Sequence, residues 1–119
     1  MNRDPRRVSD RIMDMLDAIS YIADDLGGMT RDAFLSDGKT QRAVIESFIV
    51  LGEAAKRIMQ MAPSLEHQNS SLWQQLRDAY DMRIILTHEY FRIDPSIVWT
   101  TAKESLPPLA LLLRAHLDD

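Results

Sequence analysis

The stretch KTQRAVIESFIVLGEAAKRIMQM, residues 39–61, predicts a long helix that buries one of its faces. Apolar or small residues recur every three or four positions, as on one side of a helix: Val44, Ile45, Phe48, Gly52, Ala55 and Met59. Gly52 stands out, because glycine inside a helix costs about 1 kcal/mol relative to alanine. We therefore expect another helix to approach closely at Gly52. Asp37-Gly38 marks the start of this helix and Pro63 its end.

The sequence on either side of this predicted helix also favours helical structure. Gly and Pro are sparse, and no useful length of sequence alternates apolar with polar residues. Asp4 followed by Pro5 predicts the start of a first helix, which Gly27-Gly28 ends. The apolar stripe expected for it consists of Val8, Ile12, Leu16, Ile19, Ala23 and Leu26. Thr30 is expected to cap a short helical turn.

Three further signals divide the C-terminal half. The polar segment SLEHQNSS, residues 64–71, is expected to be a loop in which a serine caps a helix that starts at Leu72. Asp94-Pro95 repeats the pattern of a capping residue followed by proline. The two prolines at 107–108 predict a kink or a restart in the last helix.

The composition limits the class of protein. The 119 residues suit a single domain, 1–119, and the predicted elements make it an all-α antiparallel bundle of four to five helices. The absence of cysteine excludes disulfides and thiolate metal sites. No apolar run approaches the roughly 20 residues that span a bilayer. The N-terminus lacks the pattern of a secretory signal. We expect a cytoplasmic protein with no membrane partner.

The net charge of −4 disfavours a general affinity for nucleic acid. Any such contact would have to use a local basic patch. Four arginines near the N-terminus offer a candidate patch, for RNA or for an acidic partner: Arg3, Arg6, Arg7 and Arg11.

A second stretch, MRIILTHEYFRIDP at 82–95, contains the spacing Arg83-x4-His88-x-Tyr90. In a structural interpretation, His88 caps or packs a helix end and Tyr90 is a core aromatic residue. Arg83 would then pair with a neighbouring carboxylate: Asp78, Asp81 or Glu89. In a functional interpretation, the imidazole exchanges protons near neutral pH and the guanidinium binds a phosphate.

The spacing of this motif constrains both interpretations. Positions five apart lie about 140° apart around an ideal helix, so Arg83 and His88 do not share a face. Either the helix is distorted near Thr87, or a site gathers copies of the motif from two chains. His67 and His116 have no partner at metal-ligand spacing, and we expect neither a metal nor another cofactor.

Four blocks of the chain resemble the HEPN superfamily, and within it the HepT-like branch of small toxins. They are the Arg-x4-His-x-Tyr motif, LGEAAKRI at 51–58, HEYFRIDPSIVW at 88–99 and LPPLALLL at 106–113. The blocks occur in order over nearly the whole chain. The resemblance implies an all-α homodimer in which the motifs of two chains meet.

The resemblance also implies a function. Many HEPN proteins are metal-independent endoribonucleases, and toxins of the HepT-like branch are typically encoded beside a nucleotidyltransferase antitoxin. Carried over to this chain, Arg83 and His88 become the catalytic pair that acts on RNA. The partner is an MntA-type nucleotidyltransferase antitoxin, which transfers AMP from ATP to Tyr90 and so inactivates the toxin.

Two residues depart from the pattern of the branch. Ile84 stands where the superfamily usually has a polar residue, and Glu89 stands where the branch often has glycine. Isoleucine offers no hydrogen bond to orient a phosphate or the histidine. The alternative is therefore a weakened or inactive HEPN dimer that serves as a helical adaptor.

Overall fold

The computed structural model describes residues 7–89 and 92–118. The helices are α1 (Val8–Leu26), α2 (Arg31–Leu35), α3 (Gly38–Met61), α4 (Leu65–Gln68), α5 (Ser70–His88), α6 (Pro95–Glu104) and α7 (Leu106–Asp118). These two ranges contain no strand, which confirms the all-α prediction. They hold seven helices rather than the expected four to five: α2 is the short helical turn expected after Thr30, and α4 is additional.

Helix α3 is the centre of the fold. It packs along its length against α1 and against α5, while α6 and α7 cover the remaining edges of the core. Of the residues predicted for its inner face, Met59 is only partly buried and the others are buried. Because α5 packs along α3, this contact sets the position of α5, which carries the motif.

No helix in the described part of the chain is both long and apolar enough to cross a membrane.

Helix α1 differs from the prediction in its start and in its inner face. Arg7 has an extended backbone and its N–H donates to Asp10 Oδ2 at 3.0 Å, so the helix begins at Val8. The predicted start at Asp4 and Pro5 lies outside the described residues. The expected stripe is confirmed except at Ala23, which is exposed: Ile12 and Leu26 are buried, and Val8, Leu16 and Ile19 are partly buried against the core. Three residues that were not predicted are also buried, Met15, Ala18 and Ile22, so the buried face of α1 is wider than the stripe.

The capping residues confirm the predicted starts of three helices. The side chain of Thr30 accepts from a backbone N–H of α2, and Asp37 Oδ1 accepts from Thr40 N at 3.0 Å. Asp94 Oδ1 accepts from both the hydroxyl and the N–H of Ser96. The hydrogen bonds from Thr40 lower the pKa of the Asp37 carboxyl, and those from Ser96 lower the pKa of the Asp94 carboxyl.

The segment 64–71 is not the loop that its polarity predicted. It contains α4, whose first residue Leu65 is buried. Helix α5 begins at Ser70 rather than Leu72, and its cap is Asn69, whose Oδ1 accepts from Leu72 N at 3.2 Å. Asparagine caps helices as well as serine does. The predicted restart of the last helix is confirmed at Leu106, with both prolines in the first turn of α7, where backbone N–H groups have no intrahelical partner.

The close approach expected at Gly52 is made by α5. A Cβ atom added at Gly52 would lie 2.8 Å from the carbonyl oxygen of Ala79 and would overlap the Cβ atom of Arg83. One obstacle is backbone and the other is the first atom of a side chain, so neither can move aside without displacing α5. The motif arginine thus lies at this close approach of α3 and α5.

Replacement of Gly52 by alanine is predicted to destabilise the fold. Alanine is the better helix former by about 1 kcal/mol, but here its methyl group would force α3 and α5 apart. Overpacking of this kind costs about 1–3 kcal/mol, and we expect a net loss of unfolding free energy in a urea titration. Gly28→Ala is the matched control, since a Cβ atom there meets nothing within 4 Å. Equal stability of the two variants would contradict the prediction.

Candidate functional site

Arg83 lies on the inward side of α5. The buried residues Leu76, Ala79 and Leu86 belong to the same side of the helix, and the Cβ atom of Arg83 faces Gly52 on α3. Its side chain is 28% exposed, so the stem is covered and the end reaches the surface.

The guanidinium of Arg83 pairs with Glu53 of α3. Arg83 Nε lies 3.2 Å from Glu53 Oε2, and Arg57 Nε lies 3.3 Å from Glu53 Oε1. Arg83 Nε and Glu53 Oε2 are both buried but lack the alignment of a hydrogen bond, so their contact is an ion pair held by charge. One carboxylate is therefore shared by two arginines.

The partners that the sequence suggested for Arg83 were wrong. Asp78, Asp81 and Glu89 lie at least about 120° from Arg83 around α5, on other faces of the helix. Glu53 was missed because the contact joins two helices that are distant in sequence. The available signal was its position directly after Gly52, in the LGEAAKRI block that carries part of the resemblance.

A groove opens beside this ion pair. It has a volume of about 340 Å³ and is lined by residues of α1, α3 and α5: Arg11, Asp14, Ile49, Val50, Glu53, Ala54 and Arg83. On the α1 side, Arg11 Nη1 lies 3.6 Å from Asp14 Oδ2. The groove thus presents alternating charges above an apolar floor, and Arg83 is the cation it shares with α5.

His88 is the last residue of α5 and is exposed. The Thr87 hydroxyl donates to the carbonyl of Arg83 at 2.9 Å and to that of Ile84 at 3.1 Å, while α5 continues through His88. The distortion near Thr87 that the sequence left open is therefore absent. In one chain, Arg83 and His88 remain about 140° apart around the helix.

Two isoleucines flank His88 on the outer face of α5. Ile84 and Ile85 lie within about 60° of His88 around the helix, whereas Ile84 is about 100° from Arg83. Ile84 is partly buried and Ile85 is 51% exposed. The missing polar side chain at position 84 therefore concerns the surroundings of the imidazole rather than those of the guanidinium.

The remaining predicted site residue, Tyr90, lies outside the described residues. Glu89, the second departure from the family pattern, is exposed at the C-terminal end of α5. Over residues 7–89 and 92–118, no three His, Cys, Asp or Glu side chains come together as a metal site requires. The motif residues that can be placed are thus an ion-paired arginine and an exposed histidine.

Comparison with known proteins identifies the class of protein that carries this fold and this arrangement. The family model described as "Ribonuclease HepT-like" matches residues 15–115. The chain therefore belongs to the HepT-like family of the HEPN superfamily, which confirms the resemblance. No solved structure matches it.

Curated relatives extend over most of the chain. "Probable ribonuclease HepT" of Thermococcus cleftensis is 35% identical over 104 residues, which cover 87% of this chain and 90% of that protein. "Putative RNase MJ0127" of Methanocaldococcus jannaschii is 33% identical over 96 residues, covering 81% of this chain and 75% of that protein. "Putative RNase TTE0752" of Caldanaerobacter subterraneus is 26% identical and covers 80% of both chains.

Removal of the two motif side chains is predicted to affect stability unequally. His88→Ala removes an exposed group and should leave the unfolding free energy within about 0.5 kcal/mol of wild type. Arg83→Ala removes the packed stem and leaves Glu53 Oε2 buried without its partner. Because over a third of the Glu53 side chain is exposed, we expect the low end of the usual cost, about 1 kcal/mol. Urea unfolding of both variants tests this, and equal stability would contradict it.

Proposed function

We propose that this chain is a metal-independent endoribonuclease, the toxin of a toxin–antitoxin pair. One observation supports this above the others: α5 presents a permanent cation and an exposed imidazole within its last two turns. Family membership and relatives whose names contain ribonuclease or RNase point in the same direction. RNA is the substrate, and Arg83 and His88 are the residues that act on it.

The reaction uses the chemistry of RNA itself. A base removes the proton of a 2′-hydroxyl, whose oxygen attacks the adjacent phosphorus and forms a new O–P bond. The bond from phosphorus to the 5′-oxygen breaks, and an acid protonates that oxygen. The products are a 2′,3′-cyclic phosphate and a 5′-hydroxyl. Histidine suits the proton transfers, and Arg83 stabilises the negative charge on the phosphate.

Two chains supply the site in this proposal. A base and an acid are both useful, yet each motif contains one histidine, His88. Arg83 and His88 also face different sides of α5, so one chain does not direct both at the same phosphate. A homodimer that brings two α5 ends together solves both problems.

A second candidate function rests on the isoleucines beside His88. Ile84 and the half-exposed Ile85 form an apolar surface where a polar residue was expected. Apolar surface next to the imidazole suits a protein interface. In that alternative the chain is a HEPN adaptor that has lost cleavage.

We predict that the purified protein is a dimer and cleaves RNA in the presence of EDTA. His88→Ala and Arg83→Ala should each lower the rate by at least about a hundredfold. His67→Ala, at an exposed histidine of α4, is the matched control and should not change it. A folded dimer that cuts no RNA would favour the adaptor.

A mixing experiment within the same prediction tests the shared site. Wild-type and His88→Ala chains are combined in equal amounts and refolded together. If both imidazoles of a dimer are needed, activity should fall to about one quarter, since one random pair in four is wild type on both sides. A fall to one half, or a monomer mass by light scattering, would rule out a site shared in this way.

The proposed partner is an MntA-type nucleotidyltransferase antitoxin that transfers AMP from ATP to Tyr90. The tyrosine hydroxyl attacks the α-phosphorus of ATP, an O–P bond forms and pyrophosphate leaves. Tyr90 is two positions along the chain from His88, so the adduct adds bulk and a negative charge next to the motif. That charge competes with RNA phosphate for Arg83. Inhibition then needs no change of fold.

Adenylylation at Tyr90 is the corresponding prediction. Incubation with the transferase and ATP should add the mass of one or more AMP groups to the peptide that contains Tyr90, and should stop RNA cleavage. Tyr90→Phe should abolish the added mass. Tyr21→Phe is the matched control, because Tyr21 is 62% exposed and accessible but far along the chain from the motif. Modification that survives in Tyr90→Phe would refute the assignment.

A further inference from the structure

Glu53 lies outside the Arg-x4-His-x-Tyr motif but forms an ion pair with the arginine of that motif. We propose that Glu53 is a positioning residue, which holds the Arg83 guanidinium so that its outer donors face a substrate phosphate. The inference deepens the proposed ribonuclease function and rests on it. It begins from the contact between Glu53 Oε2 and Arg83 Nε at 3.2 Å.

The edge of the guanidinium that Glu53 occupies decides what remains for a ligand. Arginine has five N–H donors, one on Nε and four on the two Nη atoms. Glu53 lies on the Nε side, and no hydrogen bond of the Arg83 Nη atoms is found within the described ranges. A phosphate binds arginine best through two parallel N–H groups. Glu53 therefore lies against the inner, Nε side of the guanidinium and leaves the outer pair of donors for phosphate oxygens.

The carboxylate is itself held from two sides. Arg57 approaches Oε1 at 3.3 Å from one turn further along α3, while Arg83 approaches Oε2. On the other side of the pair, Gly52 and the Ala79 carbonyl fix where the Arg83 stem leaves α5. A long, flexible side chain is thus fixed at its base and at Nε. Arg83 borders the groove whose α1 wall holds Arg11 and Asp14.

Glu53 has opposite effects on binding and on turnover. Its negative charge disfavours an approaching phosphate, so it weakens ground-state binding. Its hold on Arg83 stabilises the greater charge of the transition state, which raises kcat. Removal of the charge at constant shape should therefore lower kcat while KM stays the same or falls. A residue that only stabilised the fold would not give this split.

Glu53→Gln is the variant that tests the split. We expect kcat to fall by about tenfold to a hundredfold, as for misplacement of a catalytic group, with KM unchanged or lower. Glu53→Asp keeps the charge and should recover part of kcat. Glu46→Gln removes an exposed carboxylate of the same helix that does not line the groove, and should leave kcat within twofold of wild type. A kcat unchanged in Glu53→Gln, or an equal loss in Glu46→Gln, would overturn the inference.

A second measurement does not depend on activity. The ¹⁵N–¹H signal of Arg83 Nε is assigned by its loss in Arg83→Lys. In wild type, the Nε proton should exchange slowly and rotation about the Nε–Cζ bond should be slow. In Glu53→Gln both should become fast, in a protein that circular dichroism shows to be folded. An unchanged signal overturns the positioning role, whatever the activity.

The two readouts separate the inference from the proposed function. In one outcome, the wild-type protein cuts no RNA but its Arg83 Nε signal changes in Glu53→Gln. That outcome would refute the proposed ribonuclease function, and with it a role of the contact in catalysis. Wild-type protein that cuts RNA with a normal kcat in Glu53→Gln would refute the positioning role alone. If Glu53→Gln does not fold, Glu53→Asp carries both measurements: reduced kcat with a more mobile guanidinium supports the role, and wild-type values of both overturn it.

Discussion

The absence of a side chain at Gly52 lets the backbones of α3 and α5 approach more closely than any other residue would allow. That approach places the stem of Arg83 on the glycine and its guanidinium beside the next residue, Glu53. One contact therefore determines both the packing of the two helices and the position of the charged group. A change that separates the helices also moves the arginine.

The unbroken course of α5 has an equally direct effect at its other end. Helical hydrogen bonding continues until Glu89 N donates to the carbonyl of Ile85 at 2.9 Å, which turns His88 to the outer face. The helix thus gives one chain two chemically useful groups in opposite directions. This geometry, together with the single histidine of each motif, is the reason for a second chain in the proposed mechanism.

Local signals in the sequence predicted the local structure well. Caps such as Asp94 and the demand for a close neighbour at Gly52 follow from interactions over a few residues, and both are confirmed. The exposure of Ala23 on α1 and the short helix at Leu65 depend on what packs against them, and neither was predicted. For the same reason the motif itself could be found in the sequence, whereas the partner of Arg83, thirty positions away on α3, depends on helix packing and was missed.

The unequal embedding of the two motif residues has a consequence for how such sequences diverge. Arg83 is tied into the helix crossing, whereas the His88 side chain is exposed and has no hydrogen bond or ion pair within the described residues. Substitutions at position 83 are therefore selected against because they destabilise the fold, as well as through any chemistry that the site performs. Position 88 is protected by chemistry alone. In a lineage no longer selected for activity, the histidine should be lost first, and the arginine should be retained because the fold depends on it.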